Sequence, residues 1–252
     1  MLEIKQLTKT YGKVKAVSTI AFSLPPGTLA GFLGPNGAGK TTTINMITGL
    51  INPTEGNIFY KKENILKNLK DWKMKFGAVF EDPLLFHKLT LFEHILLAGQ
   101  LYNLTKKETI YRGEGLFDYL NLLEYKDVLA DEASTGMKKK CALSLALFHK
   151  PEVLICDEVF NGIDPVSSKR IQSLFHELLK KGTIILFSSH TLPIVEKLAQ
   201  KIIIIIKGKI SLDFSVSDIC NQNTDKQNSL EEIFFKALGN PAFDMSRVSW
   251  LK

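Results

Sequence analysis

Short continuous apolar runs recur along the chain and predict buried strands. These runs cover residues 29–33, 153–158, 183–187 and 201–206. Runs without polar alternation are typical of parallel strands that are covered on both faces. Between them, apolar residues recur at three- and four-residue intervals, as in a stripe through residues 171–179. Asp164 is a suitable N-cap for that helix, and Pro165 suits its first position. Strands that alternate with helices predict an α/β fold.

Two parts of the chain depart from this pattern. Residues 2–7 and 17–24 alternate partially between apolar and polar positions, which predicts an edge strand and a second strand before the first buried run. Residues 61–73 are polar with few apolar positions, which predicts a loop with at most one helical turn. Residues 91–129 show helical spacing without strand-like alternation, which predicts a helical subdomain inserted between strands.

These patterns predict one main domain at residues 1–222. We expect it to contain a mixed sheet, an antiparallel β subdomain and a helical subdomain inserted at about residues 86–150. Residues 223–252 are predicted to be a linker and a short C-terminal helix. The chain is almost wholly polar just before that helix, and Ser229 with Glu232 three residues later forms a capping-box pattern.

Residues 34–41 fit the phosphate-binding loop pattern Gly-x-x-x-x-Gly-Lys-Thr at every fixed position. A predicted strand precedes the loop and a predicted helix follows it, as the motif requires. Glycines let several backbone N–H groups point at one oxyanion, and the helix N-terminus adds partial positive charge. Lys40 would reach the β- and γ-phosphates, and the Thr41 hydroxyl would bind Mg²⁺. The candidate nucleotide contacts are Gly34, Pro35, Asn36, Gly37, Ala38, Gly39, Lys40, Thr41 and Thr42.

Asp157 and Glu158 close a buried apolar run and form the second candidate element. Ligands bind at the carboxyl ends of strands in open α/β sheets, so both carboxylates should face the phosphate loop. Asp157 would hold Mg²⁺ through water, and Glu158 could polarise an attacking water. These elements predict nucleotide binding and leave kinases, GTPases, helicases and transport ATPases open as classes of protein.

Composition sets outer limits. The chain of 252 residues is 45% hydrophobic and 23% charged, which is enough for a sizeable core. Its net charge of +6 comes from scattered lysines, so attraction for an anionic nucleotide is favoured over nucleic-acid binding. The cysteines at 141, 156 and 220 follow no metal spacing, and with no visible secretory signal they predict a reducing, cytosolic compartment. The longest aliphatic block, residues 202–206, is far shorter than the ~20 residues of a membrane span.

With these motifs in order, residues 2–212 resemble the nucleotide-binding subunit of the ABC transporter family. Ser134-Thr135-Gly136-Met137 resembles the family's signature motif, which other phosphate-loop classes lack. The other matches are the Walker A loop at residues 34–41, Walker B at 153–157, the D-loop at 162–165, Glu158 as catalytic glutamate, His190 as switch histidine, Tyr11 as the aromatic that stacks on adenine, and Glu81 at the Q-loop position.

The resemblance implies ATP and Mg²⁺ as cofactors and a catalytic set of Glu158, His190 and Lys40. It implies that Thr41, Asp157 and Glu81 lie at the metal, and that Ser134, Gly136 and Met137 complete the site of a facing subunit. The expected assembly is a head-to-tail dimer, by expectation of identical chains, with ATP sandwiched at composite sites. An integral-membrane permease would hold it at the cytoplasmic face of the cell membrane, and no nucleic acid is expected.

Two features depart from the family pattern. Glu81 stands where a neutral glutamine is usual, and Val159-Phe160 replaces the usual Pro-Thr after the glutamate. Both leave open an ABC-type ATPase with weak hydrolysis and a regulatory or non-transport role. An ABC ATPase of DNA repair or translation is disfavoured, because the chain carries neither a second ATP-binding half nor a long coiled-coil insertion. A phosphate-loop kinase would lack the signature. The signature, Glu81 and the terminal helix favour the exporter-like branch with a separate permease chain.

Overall fold

The computed structural model describes residues 1–217 and 229–239. The strands are β1 Leu2–Tyr11, β2 Val14–Leu24, β3 Leu29–Leu33, β4 Glu55–Tyr60, β5 Glu63–Asn64, β6 Phe76–Val79, β7 Val153–Asp157, β8 Ile184–Ser189, β9 Lys201–Ile206 and β10 Lys209–Ser215. The helices are α1 Lys40–Ile47, α2 Leu69–Lys75, α3 Leu91–Leu101, α4 Lys106–Tyr119, α5 Thr135–Leu147, α6 Pro165–Lys180, α7 Leu192–Leu198 and α8 Leu230–Ala237. Short 3-10 helices cover Ile65–Lys67 and Leu123–Tyr125.

The central six-stranded sheet has the order β10-β9-β3-β8-β7-β6. All its neighbours run parallel except β10, which pairs antiparallel with β9. Strands β3, β7 and β8 are buried along their whole length, as their continuous apolar runs predict. Because they are parallel neighbours, their carboxyl ends meet at one edge, where the phosphate loop, Asp157 and Ser188 come together. The predicted mixed sheet is confirmed.

The smaller sheet has four strands in the order β2-β1-β4-β5, all antiparallel. The prediction that residues 2–7 form an edge strand is wrong, because β1 lies between β2 and β4. Alternation along a strand records which face is buried, but it does not record how many neighbours pair with the strand's edges. The strand also extends to Tyr11, which pairs with Val14 across the first turn.

Residues 61–73 are ordered into β5, a 3-10 turn and α2, so the predicted loop is also wrong. The side chain of Asn64 caps the turn and that of Asn68 caps the helix, each by accepting a backbone N–H. Trp72 is buried, and its Nε1–H donates to the carbonyl oxygen of Ile47 at 2.8 Å. The few apolar positions all face inward, so a helix of only seven residues depends on tertiary packing more than on its own pattern.

The chain between β6 and β7 is helical and has its own apolar cluster. Leu91 and Ile95 of α3 and Phe117 of α4 are its fully buried members. A capping box begins α3, where Thr90 and Glu93 exchange side-chain and backbone hydrogen bonds. Helix α5 returns to the central sheet and packs closely on β6: a Cβ atom at Gly77 would lie 2.0 Å from the carbonyl oxygen of Ala146.

Helix α8 begins at Leu230, where the Ser229 hydroxyl accepts the backbone N–H of Glu232. Its apolar side packs on the core beneath α7 and the central sheet. The linker predicted before this helix lies mainly at residues 218–228, outside the described residues, as does the chain from 240 onward. Within the described ranges, no helix is both long enough and apolar enough to cross a membrane.

Candidate nucleotide site

The loop between β3 and α1 has the backbone shape of a phosphate cradle. Gly37 and Gly39 have φ of 76° and 107°, which residues with a side chain rarely adopt. A Cβ atom at Gly39 would also lie 2.7 Å from the carbonyl oxygen of Ala16. Gly39 is the N-cap of α1, and no side chain in the described part of the chain caps this helix. Its first N–H groups are therefore available to an anion.

The Lys40 side chain lies across this loop. It is 7% exposed, and its Nζ donates to the carbonyl oxygen of Gly34 at 2.7 Å and of Pro35 at 3.3 Å. Gly34, Pro35 and Ala38 do not line the cleft next to the loop. Ala38 is buried and closes the loop internally by donating its N–H to the Pro35 carbonyl oxygen. These residues shape the loop, and the side chain of Lys40 is the cation it presents.

A cleft of about 370 Å³ opens beside the loop. It brings residues from both sheets and from several loops to one place. Its lining residues are Ala16, Asn36, Gly37, Gly39, Lys40, Thr41, Thr42, Glu81, Asp157, Glu158 and His190. Most of the predicted nucleotide, metal and catalytic residues are thus neighbours, although they are separated by up to about 150 positions along the chain.

Thr41 and Asp157 are joined directly. The Thr41 Oγ1 donates to Asp157 Oδ2 at 2.8 Å, across the edge of the sheet. The other carboxylate oxygen of Asp157 accepts a short hydrogen bond from Ser188, its register partner on β8. Ser188 in turn accepts the backbone N–H of Glu158 at 3.0 Å. A buried chain of polar contacts therefore fixes Asp157 and the start of the Glu158 peptide together.

Sequence reasoning treated Ser188 as part of the context of His190 and missed this bridging role. We expect Ser188→Ala to lower the free energy of unfolding by about 1–3 kcal/mol, because a buried carboxylate loses a donor. We expect kcat for ATP hydrolysis to fall about 10-fold, which corresponds to about 1.4 kcal/mol in the barrier. Urea unfolding and steady-state ATPase assays measure the two effects. The exposed Ser173→Ala is the matched control; equal values for the two variants would contradict the bridge.

Glu158 has an unusual backbone and a buried carboxylate. Its φ is 50°, and its side chain is 6% exposed. Oε1 lies 3.0 Å from Nδ1 of His190, whose own side chain is 54% exposed. Oε2 is buried and has no hydrogen-bond partner among the described residues. A buried carboxylate oxygen that faces a polar cleft without a partner is suited to accept a proton from a bound water.

Val159 and Phe160, which differ from the family pattern, anchor the chain after Glu158. Val159 is fully buried and Phe160 is 7% exposed. The Phe160 ring makes edge-on contacts with Phe175 of α6 and Phe187 of β8, with centroid distances of 5.9 and 6.1 Å. The substitution therefore fills the core between these elements and holds the loop that leaves the glutamate.

Tyr11 is outside the cleft lining. It is 49% exposed, and the ammonium group of Lys9 lies 5.2 Å from the centre of its ring. Ala16, which follows on β2, is the residue from this region that does line the cleft. Stacking of Tyr11 on adenine stays a prediction.

The residues of the signature motif also lie outside this cleft. Ser134 is the N-cap of α5 and accepts the N–H of Met137 at 3.3 Å. Ser134 and Thr135 are exposed, so the N-terminus of α5 faces solvent. A Cβ atom at Gly136 would lie 3.0 Å from the carbonyl oxygen of Gly162, which indicates that the signature packs against the D-loop of its own chain.

The oxygen donors at the sheet edge fit Mg²⁺ in chemical type. Thr41 and Asp157 supply a hydroxyl and a carboxylate, and Glu81 lines the same cleft. Across the described residues, no group of three or more His, Cys, Asp or Glu side chains could hold a metal by itself. Magnesium is commonly held by one or two carboxylates with phosphate oxygens and water. The site could therefore hold the ion together with a nucleotide.

Comparison with known proteins gives the same class. The ABC transporter family model matches residues 17–161. Among curated proteins, the chain is 38% identical over 211 residues to the bacitracin transport ATP-binding protein BcrA of Bacillus licheniformis, covering 83% of this chain and 68% of that protein. It is 37% identical over 222 residues to the linearmycin resistance ATP-binding protein LnrL of Bacillus subtilis, covering 88% and 71%.

A solved ATP-binding subunit of an ABC transporter has a TM-score of 0.87 and 29% identity, covering 94% of this chain and 99% of that one. The phosphate loop, the Thr41–Asp157 contact and these matches define a phosphate-loop nucleotide-binding protein of the cassette type. The chain belongs to the ABC transporter family. It is an ATP-binding, ATP-hydrolysing subunit of a transporter, and the predicted fold class is confirmed.

Proposed function

We propose that this chain powers a separate integral-membrane permease by forming an ATP-dependent, head-to-tail dimer with a second ATP-binding subunit. The observation that carries the proposal is the position of the signature. Ser134 and Gly136 begin a helix whose N-terminus faces solvent, away from the cleft of their own chain. A helix N-terminus with an uncommitted serine hydroxyl favours an anion. In a head-to-tail pair, that anion is the γ-phosphate held by the facing loop.

Each cleft residue then has a definite task. Lys40 and the N–H groups of the loop neutralise and orient the β- and γ-phosphates, while Thr41, Asp157 and Glu81 hold Mg²⁺ with them. When bound, the magnesium ion bridges phosphate oxygens and withdraws their negative charge. Glu158 accepts a proton from the attacking water as the oxygen of that water bonds to the γ-phosphorus. The bond to the bridging oxygen breaks, and ADP leaves with the electron pair.

His190 supports this step from the open side of the cleft. Its Nδ1 contacts Oε1 of Glu158, which leaves Oε2 for the water, and the exposed ring is free to approach the γ-phosphate. Hydrolysis removes the phosphate that both subunits share, so the composite site loses its central anion and the dimer opens. ATP binding and hydrolysis thus alternate closure and opening.

An apolar groove of about 380 Å³ between the central sheet and the helical insertion is the proposed permease contact. Leu84, Phe86 and Leu101 line it and are 77%, 62% and 70% exposed. His94 fixes the Phe86 loop, since its Nε2 accepts the N–H of Phe86 at 2.8 Å. Phe92, an early candidate for this contact, packs instead against Phe117 inside the insertion. Glu81 precedes the groove loop directly, so the groove adjoins the ATP cleft.

Docking through this groove is tested by Leu84→Asp and Phe86→Asp. Each places a charge on an exposed apolar contact, so we expect the stimulation of ATPase by the permease in vesicles to fall at least about 10-fold. The ATPase rate of the subunit alone should stay within about twofold, because surface substitutions rarely disturb the fold. Tyr111→Asp is the control, since Tyr111 is 77% exposed on α4 and does not line the groove. Unchanged stimulation in both groove variants would contradict the contact.

The permease places the subunit at the cytoplasmic face of the membrane. The names of two relatives, bacitracin transport and linearmycin resistance, support outward transport of an antimicrobial compound by the assembled transporter. Growth of cells that express this chain with its permease, in the presence of either compound, tests the cargo. The Glu158→Gln variant controls for effects of expression alone.

A further inference from the structure

Lys139 is a buried lysine immediately behind the catalytic cleft. It lies in the second turn of α5, the helix that begins with the signature, and it is 3% exposed. Its Nζ donates to the carbonyl oxygen of Glu158 at 2.7 Å. Burying an ammonium group is costly unless it is paired and hydrogen-bonded, so a lysine at this position calls for an explanation.

The contact falls on a peptide that needs support. The φ of 50° at Glu158 lies in the left-handed region, which costs a residue with a side chain roughly 1–2 kcal/mol. The N–H of Glu158 is held by Ser188, and its carbonyl oxygen accepts from Lys139 and, at 3.2 Å, from the N–H of Asn161. Hydrogen bonds on both sides of the residue over-determine its conformation. That conformation aims the Glu158 carboxylate into the cleft.

The charge of Lys139 also matters here. Burial lowers the pKa of its ammonium, while the negative charges of Glu81, Glu158 and Asp157 act in the opposite direction and favour the charged form. Lys139 therefore lies within the field of all the carboxylates predicted for catalysis and metal binding. Lys140, its neighbour on the same helix, differs: its Nζ donates to the carbonyl oxygen of Asn121 at 3.3 Å, away from the cleft.

We infer that Lys139 is a positioning residue for ATP hydrolysis, which holds the Glu158 peptide in the left-handed conformation that aims the catalytic carboxylate. It touches neither nucleotide nor water and acts only through Glu158. Because Lys139 and the signature share one helix, any movement of α5 moves the hydrogen bond that orients the base of the same chain.

Lys139→Met tests this role, because methionine keeps the apolar stem and removes the donor. With saturating MgATP and the full chain, we expect kcat to fall about 10- to 100-fold, since a misaimed base loses most of its benefit. The KM for ATP should stay within about threefold. Lys140→Met should keep kcat within about twofold. A folded Lys139→Met variant with the kcat of Lys140→Met would overturn the inference.

The double variant with Glu158→Gln separates positioning from a general structural effect. If Lys139 acts through Glu158, Lys139→Met causes no further loss in the Glu158→Gln background; a further loss of the same factor overturns the inference. Should Lys139→Met fail to fold, Lys139→Arg keeps a donor and a charge. We expect its kcat within about fivefold of the parent, and a folded arginine variant as slow as about 100-fold overturns it too. Loss of ATP binding in none of these variants keeps this test separate from that of the dimer.

Discussion

Replacing Glu158 with glutamine is expected to lower kcat for ATP hydrolysis about 100- to 10,000-fold, while ATP still binds. Glutamine has nearly the same shape, so its amide oxygen can keep the contact with Nδ1 of His190, now 3.0 Å from Oε1. It cannot accept a proton from water, and the buried, unpartnered Oε2 is the atom that would accept it. The phosphate loop, Thr41 and Asp157 are unchanged.

Because hydrolysis is what removes the shared γ-phosphate, the Glu158→Gln protein should also accumulate as a dimer in the presence of MgATP. Size-exclusion chromatography with bound-nucleotide analysis measures both the dimer and its ATP. Glu124→Gln, on the exposed 3-10 helix Leu123–Tyr125, is the matched control and should behave as the parent. Hydrolysis by Glu158→Gln at the parent rate would show that another group is the base.

The parts of the fold that were predictable are those written in local patterns. Continuous apolar runs give β3, β7 and β8 nearly to the residue, because a strand buried on both faces leaves no room for polar side chains. Asp164 and Pro165 give the start of α6, because cap chemistry acts within one turn. The phosphate loop is equally local: its backbone shape depends on its own glycines.

What the sequence could not give depends on contacts between distant segments. The position of β1 inside its sheet depends on pairing with β4, some 50 residues later. Helix α2 is fixed by Trp72, whose partner is a carbonyl oxygen on α1. Ser188 lies 31 positions from Asp157, and Lys139 lies 19 from Glu158. A serine or lysine is common enough that its role appears only when the partner's distance is known.

The removal of the Lys40 side chain is expected to abolish function at an earlier step than Glu158→Gln. Lys40 is the cation that the loop presents to the nucleotide, and its ammonium group is already held at the loop by the Gly34 and Pro35 carbonyl oxygens. We expect Lys40→Ala to raise the Kd for ATP at least about 100-fold, which corresponds to about 2.7 kcal/mol. Titration with a fluorescent ATP analogue measures it, and Lys107→Ala, at an exposed position of α4, should bind as the parent.

The same variant tests the composite site, because the nucleotide is part of the proposed interface. Without bound ATP, the solvent-facing start of α5 has no γ-phosphate to meet, so Lys40→Ala should stay monomeric at any ATP concentration that saturates the parent. The decisive case is Lys40→Ala combined with Glu158→Gln. If trapping requires bound ATP, the loss of Lys40 prevents the dimer that Glu158→Gln alone accumulates. A dimer of the double variant that forms only on addition of ATP, without measurable ATP binding, would contradict the shared site.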